Sequence, residues 1–447
     1  MVESTIAAIS TALGEGGIAI IRVSGAEAVN ISTKILTRKN FDIPGKLYLT
    51  NLIDDDGNIL DRVLAVHFAK PKSYTGEDIV EIHTHGGIFI ARLCLELLLK
   101  NGAELAQAGE FTRRAFINGR IDLSQAEGVL GIIKAQNIEA LKASARTLSG
   151  GLSEKIQEIH TKILNVQANF EINLDFPEGE IFDENFNFAR EIAEIQNLLE
   201  NLLARCEAGT IFNNGVKITI AGRPNVGKSS LLNAILEQKR AIVTEIPGTT
   251  RDIISEKFLI NSLPVIISDT AGLHETQDII EAEGIKLAKN SANESDLCLF
   301  VIDGSKKISD EELNFINSLD DRVIVVINKS DLEQAENFDF NFAKVHVSAK
   351  NKTGIEELKS VNYNKAVKTP AAGGELNASA YQLRDIRESL SLISEAHELS
   401  LNSSEPDIIT GLLNDARVTL MRVLGLDTGD ANEKLLDFMF NRFCVGK

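Results

Sequence analysis

The stretch "GRPNVGKS", Gly222 to Ser229, constrains the fold more than any other part of this chain. It fits G-x-x-x-x-G-K-S, follows the strand-like "KITIA" and opens the helical "SLLNAILEQ". A loop of this kind needs a strand to deliver it and a helix N-terminus behind it, which commits its surroundings to an α/β sheet. Its glycines let backbone N–H groups turn toward phosphate oxygens. Lys228 is placed to reach β- and γ-phosphates, and the Ser229 hydroxyl to hold Mg2+.

The alternation continues around this loop. Between Gly215 and about Leu358, the runs "VKITIAG", "LPVIISD", "LCLFVID", "RVIVVINK" and "KVHVS" are separated by helical or loop segments. That is the pattern of a mostly parallel sheet with helices on both faces. "NKSD", Asn328 to Asp331, ends one of the strands. A carboxylate there accepts hydrogen bonds from the guanine N1–H and exocyclic amino group, which adenine cannot supply. "SAK", Ser348 to Lys350, stands behind the next strand. "DTAG" offers Asp269 as a carboxylate behind Mg2+ and Gly272 as an N–H facing the γ-phosphate, while "PGTTRD" offers Thr250 as a second Mg2+ hydroxyl. The candidate nucleotide contacts are Asn225, Val226, Gly227, Lys228, Ser229 and Ser230, then Thr244, Glu245, Ile246, Pro247, Gly248, Thr249 and Thr250. They continue with Asp269, Thr270, Ala271, Gly272, Asn328, Lys329, Asp331, Ser348 and Ala349. In this order, they predict a GTP-binding domain.

Two functions needed for hydrolysis are left open by these motifs. A Ras-like domain carries a water-orienting glutamine after "DTAG", where this chain has the apolar Leu273. Downstream, Glu275, Glu281 and Glu283 are the candidates to replace it. No arginine finger can be assigned. Asn225, with backbone carbonyls of "TEIPGTT", can instead hold a monovalent cation against the phosphates.

The flanks have a different grammar. From Thr5 to about Phe116, short strands such as "IAIIRVSG", "VLAVHF" and "DIVEIHTHGG" mix with Gly-rich turns and one helical stretch, "FIARLCLELLLKNG", predicting an α+β domain. From Leu123 to about Ala208 the apolar period becomes helical, with Ile156, Ile159, Ile163, Val166 and Phe170 in one stripe. A helical period returns after "TPAAGGE", with Asp430 and Glu433 spaced as a capping box and Leu435, Met439 and Phe443 on one face. Neither helical stretch makes a domain alone, so the economical reading is one helical domain split by an inserted α/β domain. The expected boundaries are 1–119 for the α+β domain, 120–209 and 369–447 for the two helical parts, and 210–368 for the insert.

The net charge of -18 means that contact with nucleic acid needs a local basic patch or a more basic partner. No run of about 18 apolar residues and no basic leader occurs, which predicts a cytoplasmic protein without membrane contact. Cys94, Cys206 and Cys298 sit in apolar segments as small hydrophobes, and the paired His83 and His85 lack a third metal ligand. Cys444, in "FCVGK", is harder to place. The sequence is a poor C-a-a-X box, so packing is the simplest reading: Phe443 and Cys444 turn inward, Gly446 ends the helix and Lys447 complements its dipole.

"GRPNVGKSSLLNAIL" with "PGTTRD" and "DTAGL" resembles the G domains of several bacterial GTPases, including the Era and Der families. The flanking "GEGGIAIIRVSG", "YTGEDIVEIHTHGG", "GEFTRRAFINGRIDLSQAE" and "FCVGK" make the whole chain resemble the MnmE (TrmE) family of tRNA modification GTPases. The resemblance implies a multidomain α+β and α/β architecture. Its parts are an N-terminal α+β tetrahydrofolate-binding domain that dimerises, an all-α helical domain, and an inserted P-loop GTPase (Ras-like) α/β G domain. It implies that a homodimer, with a flavin-containing (FAD) MnmG-type partner, forms (carboxymethyl)aminomethyl groups at C5 of the wobble uridine, position 34, of certain tRNAs. A 5,10-methylene or 5-formyl tetrahydrofolate would supply the one-carbon unit. By the same resemblance K+ falls to Asn225, Thr244, Ile246 and Thr249, the water-orienting role to Glu281, folate contacts to Arg22, Glu81, Arg120 and Lys447, and a modification-site thiol to Cys444. The chain departs from the family's usual pattern at Arg120, often lysine, and at Ala108, often proline. The competing expectation is a regulatory GTP switch in ribosome assembly with no modification chemistry.

Overall fold

The structure is a computed structural model that describes residues 4–175, 186–237, 256–260, 263–268, 295–318, 320–336, 338, 340, 342–366, 374–401, 406–426, 436–437 and 439–446. They divide into two compact units, residues 1–126 with 417–447, and residues 127–416.

In the first unit, β1 (Ile6–Ile9), β2 (Gly16–Ser24), β3 (Tyr48–Ile53), β4 (Ile59–Phe68), β5 (Ile79–Gly86) and β6 (Glu104–Leu105) form a sheet of order β3-β4-β5-β2-β1-β6. Only β1 and β6 run parallel; the other neighbours are antiparallel. Strand alternation sets its two faces. Ala19, Ile21 and Val23 of β2 and Val80 and Ile82 of β5 are buried, joined in one core by Ala91, Cys94, Leu97 and Leu98 of a helix, Ile88–Lys100. Arg22 and Glu81 occupy the intervening positions and lie directly opposite one another across the β2–β5 ladder. The "IAIIRVSG", "VLAVHF" and "DIVEIHTHGG" strands are all present.

The distant C-terminal segment belongs to this unit. Met439, Phe440 and Phe443 are buried, Val445 forms an antiparallel bridge with Ala108, and Gly109 N donates to Cys444 O at 3.4 Å. Because the bridge uses the N–H of Gly109, the departure at Ala108 leaves it intact. The expectation that Gly446 stops a helix is corrected: the helical residues end at Phe440, and Val445 is already paired as strand. Gly446 is needed for another reason. Its φ is +95°, and a Cβ there would stand 2.3 Å from Ile9 O. Asp430, Glu433, Leu435 and Lys447 lie outside the described residues.

In the second unit, the stripe Ile156, Ile159, Ile163, Val166 and Phe170 is buried along the helix Gly151–Asp175. That helix packs against another, Phe188–Asn214. Among the described residues, β7 (Val216–Ala221), β8 (Glu256–Ile260), β9 (Leu263–Ser268), β10 (Leu297–Asp303), β11 (Val323–Asn328) and β12 (Ala343–His346) form a sheet of order β12-β11-β10-β7-β9-β8. Pairings from β12 to β9 are parallel and β8–β9 is antiparallel. Central strands β10 and β11 are buried at every position, which explains their uninterrupted apolar runs. β8 was not among the expected strands; "EKFLI" is short and marginal to the sheet.

Gly109 gives a direct test of the tail's docking. Its φ is +67°, and a Cβ would lie 2.5 Å from Phe440 O. Gly109→Ala is expected to destabilise the first unit by more than the ~1–3 kcal/mol of backbone strain alone. Gly102→Ala, at φ +108° with nothing within 4 Å of the added Cβ, is the strain-only control. Thermal unfolding should show the larger fall for Gly109→Ala.

Candidate functional site

Strand β7 ends at Ala221, and the helix Lys228–Glu237 begins six residues after Gly222, so the intervening loop wraps in front of a helix N-terminus. Gly222 (φ 141°), Asn225 (φ 64°) and Gly227 (φ 99°) turn the backbone through conformations that L residues avoid, with asparagine the side chain that tolerates one best. Val226 is buried and anchors the loop, while Ser229 and Ser230 are exposed on the first helical turn. An exposed Ser229 hydroxyl at that point fits a Mg2+ ligand. Lys228 donates through Nζ to Gly222 O at 2.8 Å and Arg223 O at 2.9 Å, and burial pushes its ammonium below the usual lysine range.

Asn328 ties this loop to the base end. At 3% exposure, it donates through Nδ2 to Val226 O at 2.8 Å and accepts at Oδ1 from Ala349 N at 3.1 Å. A Cβ on Gly227 would stand 2.3 Å from that same Nδ2, so only glycine lets the two loops meet. Ser348 Oγ donates to Asp331 Oδ1 at 2.6 Å. This bond, with help from Lys350 and Lys329, holds the Asp331 carboxyl below the usual carboxylate range, which favours the ionised, acceptor-only form. A cavity of about 500 Å³ opens here, lined among others by Gly227, Ser230, Asn328, Lys329, Asp331 and Ala349.

Other lining residues belong to no nucleotide-binding motif or stand at its edge. Asn233, Leu332, Lys350 and Lys352 also line the cavity, and Lys329 is paired with Asp303 at 2.6 Å. Lys350 was legible as the third letter of "SAK"; Asn233 stands on the helix after the P-loop and Lys352 in a turn, and neither position has a motif. Thr244 to Thr250, Asp269 to Gly272, Leu273, Glu275, Glu281 and Glu283 lie outside the described residues.

The first unit holds a second polar group. Arg22 donates from Nε to Glu81 Oε1 at 2.9 Å, with Nη2 2.8 Å from the same oxygen, and its guanidinium lies 5.8 Å from the Tyr74 ring and 5.6 Å from that of Phe111. His83 Nε2 is 3.4 Å from Glu81 Oε2. The His83 hydrogen bond and the Arg22 charge together outweigh burial and keep the Glu81 carboxyl below its ordinary range. Arg120 is exposed, its stem against Gly76 in the same loop as Tyr74. The tail approaches from the β1 side: Ser10 Oγ donates to Gly446 O at 3.1 Å, and Ala8 of β1 pairs with Arg22. His83, which among the described residues lacks the partners of a metal ligand, is instead two residues from Glu81, a strand spacing that puts both on one face. His85 is occupied by Asp61 at 2.6 Å. Cys94, Cys206 and Cys298 are buried, their thiols pushed up to about 12 by desolvation, whereas Cys444 is exposed.

A mostly parallel sheet, a P-loop leading into the first turn of a helix and a carboxylate held ionised beside the cavity define a P-loop GTP-binding protein. Residues 5–120 match the family model described as GTP-binding protein TrmE N-terminus, and residues 123–444 match the MnmE helical domain. The tRNA modification GTPase MnmE of Carboxydothermus hydrogenoformans is 44% identical over 470 residues, covering 100% of both chains. That of Clostridioides difficile is 39% identical over 462 residues, again covering 100% of both. The G domain of the T. maritima FeoB iron transporter is 25% identical, covering 34% of this chain and 98% of that one with a TM-score of 0.25. The chain belongs to the MnmE family of tRNA modification GTPases.

The role of Asp331 can be read by inverting its chemistry. Asp331→Asn removes an acceptor for the guanine N1–H and presents an amide donor, so GTP binding should weaken by at least ~10²-fold. Xanthosine triphosphate, with a carbonyl in place of the exocyclic amine, should bind the variant better than GTP does, as measured by competitive displacement of a labelled nucleotide.

Proposed function

We propose that this chain uses GTP hydrolysis to drive wobble-uridine modification. With an FAD-containing partner of the MnmG type, it forms (carboxymethyl)aminomethyl groups at C5 of uridine 34 in certain tRNAs. The observation that carries this reading is the tail: Cys444 is exposed in a segment bonded to Gly109 and Ser10, in the same unit as the Arg22–Glu81 pair. A protein that only switched with GTP would have no use for that arrangement.

At the nucleotide, Asp331 selects guanine, Lys228 neutralises phosphate charge and Glu281 orients the attacking water. Ser229 and Thr250 hold Mg2+, while Asn225, Thr244, Ile246 and Thr249 hold K+, which supplies positive charge where an arginine finger would otherwise act. G domains of a homodimer meet around that cation. In the first unit Arg22, Glu81, Arg120 and Lys447 hold a tetrahydrofolate derivative, a donor of the one-carbon unit when bound. A cation–carboxylate pair suits the donors and acceptors of a pterin. The parts follow the boundaries 1–119, 120–209, 210–368 and 369–447, with the end of the last joined to the first through Val445 and Ala108. Among the described residues no helix is long and apolar enough to cross a membrane, and we place the activity in the cytoplasm.

Nucleoside analysis of tRNA from cells carrying only the Cys444→Ser protein tests the modification reading. GTP turnover should be retained and the modified uridine lost; retained modification would return the thiol to a packing role. GTP turnover should also run ~10-fold or more faster in K+ than in Na+. Equal rates would remove Asn225 from the cation site.

A further inference from the structure

The two oxygens of Glu81 are not equally committed. Oε1 accepts from Arg22 Nε at 2.9 Å and lies 2.8 Å from Nη2, which fills both of its lone-pair positions. The Arg22 guanidinium is packed against the Tyr74 and Phe111 rings as well, which favours its staying there. Among the described residues Oε2 has one partner, His83 Nε2, at 3.4 Å. An ionised carboxylate only accepts, so the imidazole nitrogen that faces it carries the hydrogen. The bond is long beside the usual length of about 2.7–2.9 Å for a charge-assisted one, and the N–H is only loosely spent on it.

Neighbouring strands give His83 no other polar task. Ile20 of β2 and Leu64 of β4 stand directly opposite it, so its row across the sheet is apolar on both sides. The side chains of Glu81 and His83 keep 15% and 19% exposure on the face turned away from the Val80 and Ile82 core. One strand therefore presents an open acceptor position and a loosely held donor side by side.

We propose that His83 is a specificity-determining residue of the folate site, forming with Glu81 Oε2 an acceptor–donor pair that reads the lactam edge, N3–H and C4=O, of a 4-oxo pteridine. This rests on the reading that Arg22 and Glu81 hold a tetrahydrofolate derivative, and it adds how the ring is told from its analogues. The ligand's N3–H donates to the open position on Oε2, and the Nε2–H of His83 turns from Oε2 to the ligand's O4. A 4-amino pteridine offers the reverse order, an acceptor at N3 and a donor at C4. It sets acceptor against acceptor and donor against donor, and such mismatched groups are desolvated with nothing in return.

The test is equilibrium dialysis of the full-length protein against 5-formyltetrahydrofolate and against the 4-amino counterpart of the same compound. The unaltered protein should bind the 4-oxo compound at least ~10-fold more tightly. His83→Met, which has no N–H, should weaken the 4-oxo compound roughly tenfold and leave the 4-amino compound unchanged or tighter, so that the preference falls. His83→Gln, similar in length to Met but with an N–H donor, should restore most of the preference. A loss shared equally by both compounds would mark His83 as structural and overturn the proposal. So would an unchanged preference in His83→Met, or a Gln protein no more selective than the Met protein. If the unaltered protein does not bind 5-formyltetrahydrofolate at all, the folate reading itself falls and takes the proposal with it, an outcome distinct from a failure of His83 alone. Should thermal unfolding show that His83→Met does not fold, the unaltered protein decides, and equal affinities for the two compounds refute the assignment.

Discussion

Asn328 joins three loops that are far apart in sequence. Its amide spends one side on the P-loop carbonyl of Val226 and the other on the backbone of Ala349, and it does so from the buried end of a central strand. A side-chain amide is suited to this because it carries a donor and an acceptor in one plane. Ala349 is carried by the turn after β12 and Asp331 by the turn after β11, so the walls of the cavity share one anchor. A Cβ at Gly227 would collide with the same amide, which shows how closely the loops are packed.

Much of the nucleotide site was legible because its chemistry is local. A strand, a glycine-rich loop and a helix follow each other without a break, and "NKSD" and "SAK" each sit at a strand end. Buried parallel strands announce themselves as unbroken apolar runs, as β10 and β11 do. What sequence could not supply was pairing between distant elements. Asp303 looks like any strand-end acid until β10 and β11 are put in register, and His83 looks like half of a metal site until Glu81 is seen beside it. A glycine after a helical period reads as a helix stop, but the constraint on Gly446 is the carbonyl of Ile9, 437 positions earlier.

The first unit is organised by a different device. One cross-strand ion pair, Arg22 with Glu81, is held under two aromatic rings and receives His83 on its free oxygen. The loop that carries Tyr74 is itself fixed from below. Arg114, 2% exposed, bridges Glu77 and Glu110, and Ser24 donates to Glu77. Charged groups in such a net are immobile, which suits a surface that must present a defined set of donors and acceptors.

The bridge between Ala108 and Val445 also sets a schedule. The two halves of the first unit are separated by residues 127–416, so a nascent chain must complete the second unit's 290 residues before the bridge partner exists. At ordinary synthesis rates that delay is about 15–60 s. During it Ile9, Ser10, Ala108 and Gly109 stand without the Phe440–Gly446 strap, while the GTP-binding sheet has already been made. Truncated or stalled products would thus retain a nucleotide site and lack the tail, separating the two halves of the protein in time as its sequence does in space.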